Sequence, residues 1–211
     1  MPLSYTPRRL IQHPHRPLFY ILETDHNTSR VPNSQANSQA NDVDGYDAVM
    51  YGLPKTGQGN WVSCIRIIDP LLMETVFKLD LDENEGAMCA AFCRFQTRGD
   101  DLYFCVGTGK GVSFLPPKVP GAYINTYLVS GDGRSFELVH KTPVEAPPGA
   151  ILGFQGRLMA GVGRSLRLYE IGIQRLLRKH DSDVHSFTLS SSKFSVRTRR
   201  LWTYIHKEIG L

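Results

Sequence analysis

The sequence predicts an all-β protein, a partial β-propeller of about three four-stranded blades followed by a poorly defined basic tail. Three observations carry that expectation. Short runs of β-forming residues recur along the chain, turn chemistry separates them, and no long amphipathic helix pattern appears before the tail. Many short strands with regular turns indicate a sandwich, a barrel or a propeller. The grouping in fours, at an irregular period, favours the propeller, with sets expected within 18–81, 87–142 and 150–179. Each set ends in a hydrophilic strand followed by an apolar one, as an outer strand leading into the next inner strand would.

Residues 18–23 (LFYILE) form a short apolar run rich in β-formers, and 61–68 (WVSCIRII) form another, stopped by Asp69-Pro70. Residues 75–81 (TVFKLDL) alternate apolar and polar. Strands are then expected over 87–95, 102–107, 122–129 and 136–140, with turns at Gly99-Asp100-Asp101 and Ser130-Gly131-Asp132-Gly133. After Pro147-Pro148-Gly149 the strands shorten to 150–154, 157–160, 165–170 and 175–178, joined by Gln155-Gly156 and Gly161-Val162-Gly163. Residues 5–9 read as an edge lead-in, and Trp61 as a structural aromatic in its strand. Residues 27–47 are polar and low in complexity, with SQAN repeated at 34–37 and 38–41. Such a segment has nothing to bury, so 27–58 is expected as a flexible insertion loop.

The 211 residues admit one or two domains, and 41% hydrophobic with 21% charged residues is ordinary for a globular chain. No apolar run reaches the roughly 18 residues that span a bilayer. The N-terminal MPLSYTPRRLIQHPHRP has no apolar stretch after its basic residues and does not read as a secretory leader. The expected compartment is the cytoplasm or the nucleus, with no membrane partner. Residues 1–174 carry 16 Lys and Arg against 17 Asp and Glu, whereas 175–211 carry 8 against 3. The net charge of +4 therefore belongs to the C-terminal segment. Its Arg197, Arg199, Arg200 and Lys207 are the candidate nucleic-acid contacts, through phosphate charge alone, since no aromatic interleaving supplies a stacking groove. The alternative is a solvated, poorly folded end.

The four cysteines are Cys64, Cys89, Cys93 and Cys105. Their spacing lacks the paired C-x₂-C of a zinc ribbon. On a strand, Cys89, Ala91 and Cys93 share a face, which suits small thiols in a packed core of a reduced compartment. Gly107-Thr108-Gly109-Lys110-Gly111 lacks the G-x₄-G-K-[ST] order of a phosphate loop and reads as an inter-strand turn. Asp80, Asp82, Glu83 and Glu85 lack the calcium-loop order and read as a solvated turn. There is no G-x-S-x-G and no H-E-x-x-H, and the histidines have no partnered nucleophile. A non-catalytic binding or scaffold protein is expected, with no cofactor, no metal and no small-molecule substrate.

Several stretches together resemble one family. They are LSYTPRRL at 3–10 with His13-Pro14, ETDHN at 23–27, WVSCIR at 61–66 with Asp69-Pro70, and ENE at 83–85. The longest runs over 138–179 and includes HKTPVE, FQGRL and GVGRSLRLY. They resemble the family of triple-propeller scaffold proteins that holds damaged-DNA-binding protein one and the largest subunit of the cleavage and polyadenylation specificity factor. It also holds the large propeller subunit of the splicing factor three-b complex. YTPR at 5–8, ETD at 23–25 and the Val144-Glu145 neighbourhood point to the splicing branch.

The resemblance implies the opening three blades of a seven-bladed, WD40-like propeller over residues 1–179, with a divergent basic tail over 180–211. It implies a nuclear, non-catalytic scaffold in branch-site recognition by the U2 small nuclear ribonucleoprotein. The implied partners are other splicing factor three-b subunits, namely the helical-repeat subunit and the small zinc-binding subunit, with RNA met only indirectly. Alternatives are a related adaptor in DNA repair and ubiquitin ligation, a factor in mRNA 3′-end processing, or a truncated product without function. Three blades leave unpaired edges, so the isolated chain is expected to be marginal without a partner.

Overall fold

The computed structural model describes residues 3–26, 59–114, 116–183, 188–190 and 193–195, the last two stretches by backbone alone. The insertion expected over 27–58 lies outside the described residues. Among the described residues, three four-stranded antiparallel sheets hold most of the strands. The first contains β1 (Pro7–Gln12), β2 (Phe19–His26), β3 (Trp61–Asp69) and β4 (Glu74–Asp80) in spatial order. The second contains β5 (Glu85–Arg94) and β6 (Leu102–Lys110), then, after a minor hairpin of β7 (Ser113–Phe114) and β8 (Pro117–Lys118), β9 (Gly121–Val129) and β10 (Phe136–Pro143). The third contains β11 (Pro148–Phe154), β12 (Arg157–Val162), β13 (Ser165–Ile171) and β14 (Leu176–Asp183). A further hairpin pairs β15 (Thr188–Ser190) with β16 (Lys193–Ser195). These up-and-down sheets are the blades of a partial propeller, as the strand grouping predicted.

Two elements differ from the sequence expectation. The fourth strand of the first sheet is β1, which the residue pattern presented only as a lead-in. It forms through backbone pairing to β2, with Leu10 opposite Ile21 and Ile11 opposite Tyr20. Its side chains are mostly exposed, Leu10 at 62%, so no apolar run marks it. The second difference is at Gly107–Lys110, which continue β6 instead of turning. A side chain at Gly107 would meet the Cys89 Sγ at 2.7 Å and the Pro148 ring at 2.8 Å, so this glycine serves close packing. The turn itself comes at Gly111, with φ of 63°.

The sheets bury two cores between them. Tyr20, Leu22, Ile65 and Ile67 of the first sheet pack with Phe104, Val106, Tyr127 and Phe136 of the second. Cys89, Ala91, Cys93 and Cys105 of the second pack with Ile151, Leu158, Ala160 and Tyr169 of the third. The middle sheet thus uses both faces, which strand alternation permits only when both neighbours are apolar. All four cysteines are free and buried. The inner strand β11 lies so close to β5 that a Cβ on Gly153 would stand 2.5 Å from the Phe92 carbonyl oxygen.

Candidate interaction surfaces

Antiparallel succession places the turns at two ends of the stack, and hydrogen bonds between sheets fix which turns share an end. Arg16 of the β1–β2 turn donates to the Gly131 carbonyl of the β9–β10 turn at 3.1 Å. The backbone N–H of Gln96, in the β5–β6 turn, donates to the Gly156 carbonyl of the β11–β12 turn at 2.9 Å. Arg98 donates to the Gly172 carbonyl of the β13–β14 turn at 3.2 Å. Arg134 pairs with Asp69 of β3 at 2.6 Å. These turns therefore form one continuous end of the molecule.

This end carries large apolar side chains in water. The β3–β4 turn presents Leu71 at 78%, Leu72 at 61% and Met73 at 70% exposure, and the β13–β14 turn presents Ile173 at 90%. The Asp69 carboxylate holds the first of these turns by accepting from the Leu71 N–H at 3.0 Å. Beside Ile173 lies a groove of about 660 Å³ lined by Thr97, Arg98, Gly172, Ile173, Arg175 and Leu177. His140 of β10 reaches under it: its Nε2–H donates to the Ile173 carbonyl at 3.0 Å, so the ring carries its proton on Nε2. The three consecutive exposed side chains of Leu71, Leu72 and Met73 make one candidate interaction surface, and Ile173 stands apart from them on the third sheet.

The opposite end carries an aromatic cluster. The Trp61 and His26 rings lie 4.3 Å apart, and Phe114 of the minor hairpin is 64% exposed at 6.1 Å from Trp61. The Trp61 indole N–H donates to the Val112 carbonyl at 2.7 Å. This bond accounts for the burial of Trp61 as a structural residue.

Charged side chains inside the sheets explain other residues that the family resemblance singled out. Glu23 is fully buried, and its carboxylate accepts from Arg66 and from the Ser4 and Tyr5 N–H groups. In the second sheet Glu85, 1% exposed, accepts from Thr108, Asn125 and Lys141, which lie on the three remaining strands. Glu85 is therefore a core residue, not part of a solvated turn; the residue pattern hid this because its partners lie 23 to 56 positions away. Asp82 is held below the ordinary carboxylate range by the hydrogen bond from Lys141. Burial pulls the Lys141 ammonium down, and its bonds to Asp82 and Glu85 more than offset this, leaving it raised. In the third sheet Arg167 pairs with Glu145 and Asp181. Burial raises the thiols of Cys64, Cys89 and Cys93 to about 12 and holds that of Cys105 well above its ordinary value.

The four sequence-predicted contacts, Arg197, Arg199, Arg200 and Lys207, lie outside the described residues. Among the described residues no three His, Cys, Asp or Glu side chains gather as metal ligands. The exposed apolar turns were missed because single Leu, Met and Ile residues in turns look like strand ends in a sequence.

The chain resembles known proteins along most of its length. The CPSF A subunit region family matches residues 62–198, which carries past Lys179, where the motif resemblance ended. The pre-mRNA-splicing factor rse1 of Emericella nidulans is 43% identical over 85% of this chain and 15% of its own length. Splicing factor 3B subunit 3 of Danio rerio is 38% identical over 84% of this chain and 16% of its own. Spliceosome-associated protein 130 A of Arabidopsis thaliana is 36% identical over 97% of this chain and 19% of its own. The chain thus spans between 15% and 19% of the length of these relatives.

Proposed function

The chain belongs to the CPSF A subunit region family, and from that premise we propose that it is a non-catalytic scaffold segment of the nuclear pre-mRNA splicing machinery. Its work is protein contact within a splicing factor 3B assembly engaged in branch-site recognition. The helical-repeat and small zinc-binding subunits are the proposed neighbours, and RNA is met through them. The observation that carries this reading is the similarity, over 84% to 97% of the chain, to proteins named for splicing in a fungus, a fish and a plant. The fold supports it: rigid sheets present turns at two ends, a geometry suited to holding partners.

The test is affinity purification of the tagged 211-residue chain from nuclear extract, followed by immunoblotting for splicing factor 3B subunits. Their stoichiometric recovery is expected, and recovery of ubiquitin-ligase or polyadenylation subunits in their place overturns the reading.

A further inference from the structure

We propose that Thr6 is a phosphorylation site for a proline-directed protein kinase, and that a phosphate there loosens the N-terminal segment that seals Glu23. The chain contains two Thr-Pro steps, Thr6-Pro7 and Thr142-Pro143, and no Ser-Pro step. Proline-directed kinases take a hydroxyl residue followed by proline and favour a basic residue two positions beyond that proline. Thr6-Pro7-Arg8-Arg9 has this order, with Arg9 in the favoured position, whereas Thr142-Pro143-Val144-Glu145 puts a carboxylate there. The fold separates the two further. Thr6 is exposed and stands just ahead of β1, an edge strand that pairs only with β2. Thr142 is 4% exposed, and its hydroxyl accepts from the Leu176 N–H at 2.9 Å. The ion pairs of the described residues involve neither Arg8 nor Arg9.

Hydrogen bonds fasten this segment to β2. The Thr6 N–H donates to the Asp25 carboxylate at 3.2 Å, the Thr24 N–H to the Thr6 carbonyl at 2.9 Å, and the Arg8 Nε–H to the Thr24 carbonyl at 3.2 Å. Just upstream, the Ser4 and Tyr5 N–H groups donate to the Glu23 Oε2 at 2.6 and 2.9 Å, and the Ser4 hydroxyl accepts from Arg66 at 2.7 Å. These contacts close over Glu23, which is fully buried. In the transfer, the Thr6 Oγ forms a bond to the terminal phosphorus of ATP, and the bond from that phosphorus to the bridging oxygen breaks. ADP leaves, and the hydroxyl proton passes to the base of the kinase. The product carries about −1.5 to −2 charge. It stands beside the Asp25 carboxylate, which repels it, and two residues from Arg8, for which a phosphate is a stronger acceptor than a neutral carbonyl. The bonds to Asp25 and from Arg8 are thereby given up, and the seal over Glu23 opens.

The test incubates the folded 211-residue chain with a cyclin-dependent kinase, its cyclin and magnesium ATP, and locates the phosphate by peptide mass spectrometry. Phosphate is expected at Thr6 and none at Thr142. Thr6→Ala, at an exposed position and hence neutral to folding, is expected to abolish the Thr6 signal, and Thr6→Ser to restore it. Arg9→Glu keeps the hydroxyl and removes the basic residue, and is expected to lower the initial rate about tenfold. Amide hydrogen exchange at Ser4 and Tyr5 then reads the seal. Exchange about tenfold faster is expected in the phosphorylated chain and no change in Thr6→Ala treated alike. A native chain that takes no phosphate at Thr6, a rate unmoved by Arg9→Glu, or exchange at Ser4 and Tyr5 unmoved by the phosphate overturns the proposal.

Discussion

The Tyr20 hydroxyl donates to the Gly133 carbonyl at 2.7 Å, across 113 residues of chain. The phenol of an inner-sheet strand thereby holds the turn of the neighbouring sheet, while its ring packs edge-on against Phe92 at 4.9 Å. Tyr20→Phe keeps the ring and leaves the buried acceptor unpaired. A loss of about 1 kcal/mol is expected, read from the midpoint of urea unfolding with unchanged slope. A value near zero would show that the Gly133 carbonyl finds water instead.

Lys141→Met tests the polar seam of the second sheet. Lys141 is 27% and Glu85 1% exposed at the side chain, so truncation leaves a buried carboxylate without its ammonium. The expected loss is about 3 kcal/mol, and the Lys141→Met, Glu85→Gln double variant is expected to recover part of it. Additive single losses would contradict a coupled seam.

Acid should destabilise the protein gradually. Asp82 and Glu145 are depressed from ordinary values of 3.8 and 4.5 by hydrogen bonds from Lys141 and Arg167. A carboxylate depressed in the folded state contributes stability above its unfolded pKa and loses it as pH falls through the folded one. Both side chains are more than half exposed, at 61% and 68%, so solvent screens each contribution. Stability is expected to decline from about pH 4.5 downward, in unfolding curves taken at stepped pH. The Lys141→Met variant should decline less steeply, because its Asp82 is no longer held.

The four thiols should be inert in the folded chain. All are buried, and burial raises Cys64, Cys89 and Cys93 to about 12 and Cys105 well above its ordinary value. A thiol reagent at mildly alkaline pH is expected to modify none before unfolding and four after it. Prompt labelling of Cys89, Cys93 or Cys105 in the native chain would mean that the second core opens readily.

Gly153→Ala should cost about 2 kcal/mol, because the added methyl meets backbone that cannot step aside. Gly131→Ala, where a Cβ would meet nothing within 4 Å, is expected to leave thermal unfolding unchanged. Equal effects at the two sites would rule out close strand approach as the reason for Gly153.

Much of the fold is legible in particular residues. LFYILE and WVSCIRII show their β character through β-branched and aromatic side chains, and Cys89, Ala91 and Cys93 share the core face that period-two alternation assigns. Gln155-Gly156 turns as read, with φ of 45° and 72°. β1 is illegible because its order comes from backbone bonds to β2, which are independent of side-chain type. Of the candidate surface nothing was legible: Ile173 and Arg98 are 75 positions apart, and only sheet packing brings them to one groove.

Most strands, turns such as Gln155-Gly156, the kind of core and, through the motifs, the family are readable from the sequence, with β1 and the run Gly107–Lys110 as the exceptions. Those properties depend on neighbours along the chain, where alternation and turn chemistry act. Only the packing of the sheets makes Glu85 a buried partner of Lys141, sets Gly107 against Pro148 and brings Arg98 and Ile173 to one groove. Those properties depend on which sheet lies against which, and so on distances that no local pattern encodes.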